Sequence, residues 1–235
     1  MRARSWAAVV AVVIGLASPA LAVTSASAAT GSSATNAAAT ADVSIVQGIP
    51  GVSVDIYVNG TKLLSNFRFK TVASEYPLNV GVFHIAIRPA GAKRSSKPIL
   101  SATKVLTAGE NATVVAYLSA TGTPELKTFV NLTGRMATGN ARIIVRHVAD
   151  APALDVFVGT ATTIGERVIK ELTNPHQAVR VIPHTTLFVR FFATGTSLHP
   201  TIGPTGFTFN ADTTTIIYAV GSLAGNTLTT VSQSY

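Results

Sequence analysis

Cysteine is missing from all 235 residues. That gap excludes a disulfide framework, a thiolate metal site and a cysteine nucleophile. Charge is scarce as well: 12% of residues are charged against 47% that are apolar. The apolar set leans to Val, Ile and Ala, and the two heavy atoms on Cβ of Val and Ile suit a pleated surface better than a helix. No convincing helical period occurs. Gly-x-Ser-x-Gly, His-Glu-x-x-His, Gly-x-x-x-x-Gly-Lys and Gly-x-Gly-x-x-Gly are all absent, so no motif gives a positive reason to propose an enzyme. What remains must fold around its own core. A unit of roughly 90–100 residues buries about 60–65% of its unfolded surface, which is workable but not generous.

The first forty-one residues read as export machinery and a tether. Arg2 and Arg4 precede an apolar run from Trp6 to Leu16, and both Ala20-Leu21-Ala22 and Ala26-Ser27-Ala28 have the small-x-small form of a cleavage site. Residues 1–28 are expected to be a Sec-type signal peptide, cut after Ala28 in preference to Ala22. The apolar run falls short of the roughly 20 residues a bilayer span needs, so no membrane span is expected after cleavage. Residues 29–41, rich in Ala, Ser and Thr, read as a flexible spacer. Removing Arg2 and Arg4 leaves sixteen basic against ten acidic residues, a net of +6. Outside a cell this balance suits contact with anionic wall polymers or phospholipid headgroups. Nucleic acid is not expected, because the charges are scattered and lack an interleaved aromatic set.

From Asp42 onward the pattern is strand, turn, strand. Val54, Ile56 and Val58 alternate with Ser53, Asp55 and Tyr57, the period of a half-buried strand. Asn59-Gly60 then signals a tight hairpin. Short strands are predicted over Val43–Gln47, Lys62–Leu64, Phe67–Val72, Tyr76–Leu78, Val80–Arg88, Ile99–Leu106, Thr113–Leu118 and Leu126–Leu132. The order repeats about one hundred residues later: Ile143–His147 matches Val43–Gln47, and Leu154, Val156 and Val158 match Val54, Ile56 and Val58. Arg167–Leu172, Ala178–Ile182, Thr186–Phe192, Phe207–Asn210, Thr215–Val220 and Leu228–Val231 complete the second copy. The expected architecture is all-β: two tandem antiparallel β-sandwiches, residues 42–134 and 135–235, joined at Gly134–Gly139. Parallel pairing is not expected, since it needs long crossovers that are usually helical.

The stretch His147-Val148-Ala149-Asp150-Ala151-Pro152-Ala153-Leu154-Asp155-Val156-Phe157-Val158 resembles the opening motif of the bacterial domain of unknown function 4397 family, His-Ala-x-x-Asp-Ala-Pro-x-Val-Asp-Val-Tyr-Val. The resemblance extends over Asp42–Tyr235. It is eroded in the first copy, where Gln47 stands for His147 and Pro50 for Asp150. It implies secreted or surface-attached proteins built from immunoglobulin-like strands, often in tandem, with no settled activity.

Two sets of residues carry candidate chemistry. His147 and Asp150 lie three apart across a turn and could serve acid–base work. Asp150 before Ala-Pro also has a plain structural role, accepting backbone N–H groups in an Asx-type turn. Asp55 and Asp155 recur in both copies, each two residues before an aromatic, Tyr57 or Phe157. Together these form a repeated acid-plus-aromatic patch that could hold a sugar ring, or else a carboxylate that ties down a neighbouring loop. Lys93-Arg94-x-x-Lys97 reads as an exposed hairpin tip, more often merely solvated than in contact with phosphate-bearing wall polymer, and such a bare cluster gives little affinity at physiological salt. No metal site is expected, because no further ligands stand at the right spacing and ten dispersed acids are too few for Ca²⁺. No cofactor is expected. The reading is a secreted, non-catalytic binding or surface-structural module whose partners are anionic cell-wall polymer, carbohydrate or another surface protein. The alternative is an extracellular hydrolase using His147 with Asp150 or Asp155.

Overall fold

The structure is a computed structural model that describes residues 39–136, 139–196 and 198–235. The expected signal peptide, residues 1–28, and nearly all of the expected spacer lie outside the described residues. Sixteen strands and no helix make up the described chain. The first eight are β1 (Thr40–Gln47), β2 (Val54–Val58), β3 (Thr61–Phe67), β4 (Val72–Asn79), β5 (Gly81–Pro89), β6 (Leu100–Leu106), β7 (Asn111–Leu118) and β8 (Pro124–Val130). The second eight follow in the same order: β9 (Asn140–Asp150), β10 (Leu154–Gly159), β11 (Glu166–Leu172), β12 (Gln177–Pro183), β13 (Thr186–Ala193), β14 (Ile202–Thr208), β15 (Thr214–Ser222) and β16 (Thr229–Ser234).

They form four four-stranded sheets, ordered β3-β2-β5-β6, β4-β1-β7-β8, β12-β9-β15-β16 and β11-β10-β13-β14. The first two sheets face one another across a core of Ile45, Val54, Ile56, Phe83, Ile85, Ile87 and Val114. The last two do the same across Val145, Leu154, Val156, Val189, Phe191, Phe209 and Ile217. A third core lies between the two middle sheets: Val46, Val115, Tyr117 and Phe129 from the first half meet Ile144, Val148, Ile216, Tyr218 and Val220 from the second. The chain is therefore two β-sandwiches stacked back to back. Outer strands alternate, as in β5, where Phe83, Ile85 and Ile87 are buried between exposed Val82 and His84. Middle strands are covered on both faces, so β7 from Ala112 and all of β15 are buried without alternation.

Two expectations are corrected. The middle sheets are mixed, because β1 runs parallel to β7 and β9 parallel to β15. The crossover that parallel pairing requires is supplied by strands: the chain between β1 and β7 builds the opposing sheet and returns. Phe67–Val72 is also not one strand. Phe67 ends β3 and Val72 begins β4, with a turn between them closed by Thr71 N–H to the Arg68 carbonyl (3.2 Å) and a positive φ at Lys70. Here the chain leaves the outer sheet for the middle one. The Asn59-Gly60 hairpin is as expected, with positive φ at both residues.

Candidate functional site

Asp55 and Asp155 are sealed. Asp55, 2% exposed, accepts Lys62 Nζ at 2.6 Å, the Asn66 N–H at 2.9 Å and the Gly91 N–H at 3.3 Å. Asp155, 3% exposed, accepts Arg167 Nη1 at 3.1 Å, the Glu171 N–H at 2.8 Å and the Thr194 hydroxyl at 3.1 Å. Each carboxylate sits opposite a bulge: Val54 pairs with Phe67 and Ile56 with Leu64, so two residues of β3 face one of β2, and β10–β11 repeats this. The bulge residue donating its N–H, Asn66 or Glu171, has a positive φ, and the carboxylate bond holds that backbone in place. The hydrogen bond from Lys62 holds the Asp55 carboxyl below its ordinary range. Burial pushes the Asp155 carboxyl up, but the Glu171 N–H, Arg167 and Thr194 outweigh it and leave it lowered.

The aromatics beside these acids differ. Tyr57 is buried under two cations, with the Arg88 guanidinium 4.8 Å and Lys62 Nζ 5.5 Å from its ring centre. Phe157 is half-buried and packs edge-on against Phe192 at 5.1 Å. The structure thus brings acid and aromatic together in each copy, and covers the ring in the first.

His147 and Asp150 are engaged separately. His147 is fully buried; Nε2–H donates to the Pro152 carbonyl at 2.8 Å, and Nδ1 receives the Ala149 N–H at 3.4 Å. Burial pushes its pKa down, and the backbone carbonyls oppose this without reversing it, so the ring is neutral. Gln47 does the same in the first copy, with Nε2 donating to the Val52 carbonyl and Oε1 accepting the Ile49 N–H, both at 3.4 Å. Asp150 instead accepts the Ser222 hydroxyl at 2.7 Å and lies against the turn at Gly122. It joins the second sandwich's opening turn to the β15–β16 turn.

Sequence reasoning missed Arg146. It is fully buried between the sandwiches with no carboxylate partner among the described residues, and donates to Gln177 Oε1 (2.9 Å), the Tyr218 hydroxyl (2.7 Å) and the Val130 carbonyl (3.2 Å). Its guanidinium lies 4.5 Å from the Phe129 ring centre and 5.3 Å from that of Tyr218. Burial works against its charge, and the hydroxyl and rings offset part of that cost. A single charged residue in a run of apolar ones, Ile143-Ile144-Val145-Arg146, was the available signal.

Among the described residues no three His, Asp or Glu side chains gather as metal ligands. The apolar gap inside the first sandwich, lined by Val43, Ile45, Phe83 and Leu106, has room for about one water. Fold and site together define a tandem all-β protein whose recurring carboxylates, Asp55 and Asp155, are bound up in its own bulges and loops. Residues 41–157 match the family described as domain of unknown function, DUF4397, and the chain carries a domain of that family. The match spans the first sandwich and, in the second, β9 and most of β10. No curated protein matches the chain. The solved structure of the Bacillus anthracis TIE protein is similar over 78% of this chain at 12% identity, with a TM-score of 0.26. This chain spans 34% of the length of that one.

Proposed function

We propose that this is an exported, non-catalytic module of two immunoglobulin-like sandwiches that works by surface contact with anionic cell-wall polymer. The observation that carries the reading is the way the candidate catalytic groups are used. Both nitrogens of His147 are occupied by backbone, and Asp55 and Asp155 are filled by donors from the bulges of the neighbouring strands and from adjoining loops. A general base needs a free partner within hydrogen-bond reach of a reacting proton, and none of the three has one. A sugar-stacking patch repeated in both copies needs an open ring face in each, and Tyr57 has none. Four-stranded sheets facing in pairs, with β1 running parallel to β7 inside one of them, support the immunoglobulin-like description. Surface contact is left to the exposed cations, which outnumber acids in the chain.

The purified chain from residue 29 should co-sediment with cell-wall preparations at low ionic strength and be released as salt rises, because exposed charge contacts are screened within about 10 Å at 0.1 M. Absence from the pellet at every ionic strength would remove the wall-binding reading.

A further inference from the structure

We propose that the outer sheet of the first sandwich, β3-β2-β5-β6, carries a site for the phosphate groups of a linear polyanion. The proposal rests on the surface-contact function above and names its ligand chemistry.

Charge is the first observation. Residues 54–67 and 81–106, which make this sheet, hold six basic residues (Lys62, Arg88, Lys93, Arg94, Lys97 and Lys104) and one acid, Asp55, for a net of +5. The corresponding residues of the second sandwich, 154–172 and 186–208, hold three basic (Arg167, Lys170, Arg190) and three acidic (Asp155, Glu166, Glu171), for a net of zero. The same backbone plan therefore carries a cationic outer sheet in one copy and a neutral one in the other.

Position is the second. The basic loop between β5 and β6 is folded down onto the sheet. Its start is fixed by the Ala90 N–H to the Ser53 carbonyl (2.9 Å) and the Gly91 N–H to Asp55. Its middle is fixed by Arg88 Nε to the Ser96 carbonyl at 3.0 Å, and by the Ser96 N–H and hydroxyl to the Lys93 carbonyl at 2.9 and 2.7 Å. Arg94 leans back over the β2–β3 hairpin, its Nη2 3.1 Å from where a Cβ on Gly60 would stand. Lys62 and Arg88 already flank Tyr57. Lys62, Arg88 and Arg94 are thus held on one ordered surface, with Lys93 and Lys97 exposed on the same fixed loop, whereas Lys104 is taken up by Glu110 at 2.8 Å. The ordering cost that a free loop would meet on binding is largely met in the fold.

Arginine forks match phosphate oxygens in pairs, while lysines act as point charges. Several such groups spread along a sheet suit repeated phosphates better than a single anion. The loop tip, Lys93-Arg94-Ser95-Ser96-Lys97, offers no apolar side chain to insert into a bilayer. The ligand is accordingly a phosphodiester or polyphosphate chain in solution or in a wall, and not a lipid surface.

Calorimetry with linear polyphosphate at about 20 mM salt, where screening is weak, should show binding that fades as salt is raised. The variant K93A/R94A/K97A should bind about tenfold more weakly or worse, while R68A/K70A/K170A, which removes the same charge elsewhere, should change affinity less than about twofold. All three loop residues are exposed, and a thermal melt checks that the fold is kept; R94A alone replaces the triple variant if it is not. No heat at low salt, or equal losses in the two triple variants, overturns the site. Tighter binding to anionic phospholipid vesicles than to polyphosphate overturns the ligand. If wall co-sedimentation persists while polyphosphate gives no heat, this inference fails and the broader function stands.

Discussion

Val46 and Arg146 occupy the same place in the two halves, one hundred residues apart on β1 and β9, and neither has any exposed surface. One is an aliphatic side chain; the other is a charge with only neutral partners. Duplication has kept the backbone plan and freed the side chains wherever the two copies came to face each other. The back-to-back contact is not symmetric as a result. Arg146 reaches across it to the Val130 carbonyl, and Tyr218, Gln233 and Thr113 continue the chain of hydrogen bonds, with Gln233 Nε2 2.7 Å from Thr113 Oγ1 and 2.9 Å from the Tyr218 hydroxyl. Replacing Arg146 by the residue of its twin tests whether that network matters. Arg146→Val should destabilise by about 3 kcal/mol in urea unfolding, since it strands buried acceptors and leaves a cavity between Phe129 and Tyr218. An unchanged or raised midpoint would mean that an aliphatic contact serves equally well, as some buried charges prove when replaced.

The acid brackets are the next contrast, and here the copies agree. Asp155→Ala should cost about 2 kcal/mol at neutral pH, because the Glu171 N–H and the Thr194 hydroxyl lose their acceptor. Asp55→Ala should act in the same direction through Asn66 and Gly91. Both carboxyls have folded pKa values below their ordinary ones. Their stabilisation is therefore fully present above about pH 4 and is lost as pH falls through the lower, folded values. Wild type and Asp155→Ala should converge in stability over that acid range. A gap that persists once the carboxyl is protonated would show that packing, not charge-assisted hydrogen bonding, is what the side chain supplies.

Much of this was legible in the chain. Alternation in Phe83–Ile87, the Asn59-Gly60 turn and the hundred-residue echo point to strands and duplication because local sterics and one covered face decide them. The recurrence of Asp55 and Asp155 before an aromatic was visible, and so was the loop-tying use of the carboxylate as one of two readings. The parallel pairing of β1 with β7 was not, since a crossover made of strands leaves no helical signature. Nor was the third core. A strand covered on both faces, such as Ile216–Val220, reads simply as a continuous apolar run, and nothing local says that its second cover is the other half of the chain. The cationic outer sheet was half visible as Lys93-Arg94-x-x-Lys97; Lys62 and Arg88 join it only through the fold of the loop.

The smallest expected effect is also the one that most sharpens the comparison of the halves. His147 and Gln47 each place a donor on the carbonyl five residues on and an acceptor under the N–H two residues on. An amide can present that pattern at any pH, whereas an imidazole does so only when neutral and protonated at Nε2. His147→Gln should therefore change stability at pH 8 by less than about 1 kcal/mol, well inside what a volume-matched core exchange costs. The pH profile is where the two residues part. With its folded pKa lowered by burial, His147 binds a proton more readily in the unfolded chain, so stability falls as pH drops below the unfolded value of about 6.5, by up to about 1.4 kcal/mol per unit, until the folded pKa is reached. His147→Gln should flatten this part of the curve, and Gln47→His should steepen it by a similar slope. Thermal melts from pH 8 to pH 5 measure both. A variant His147→Gln that keeps the wild-type slope would place the titrating group elsewhere, and a loss of several kcal/mol at pH 8 would mean that the imidazole does something in the second sandwich that no amide does in the first.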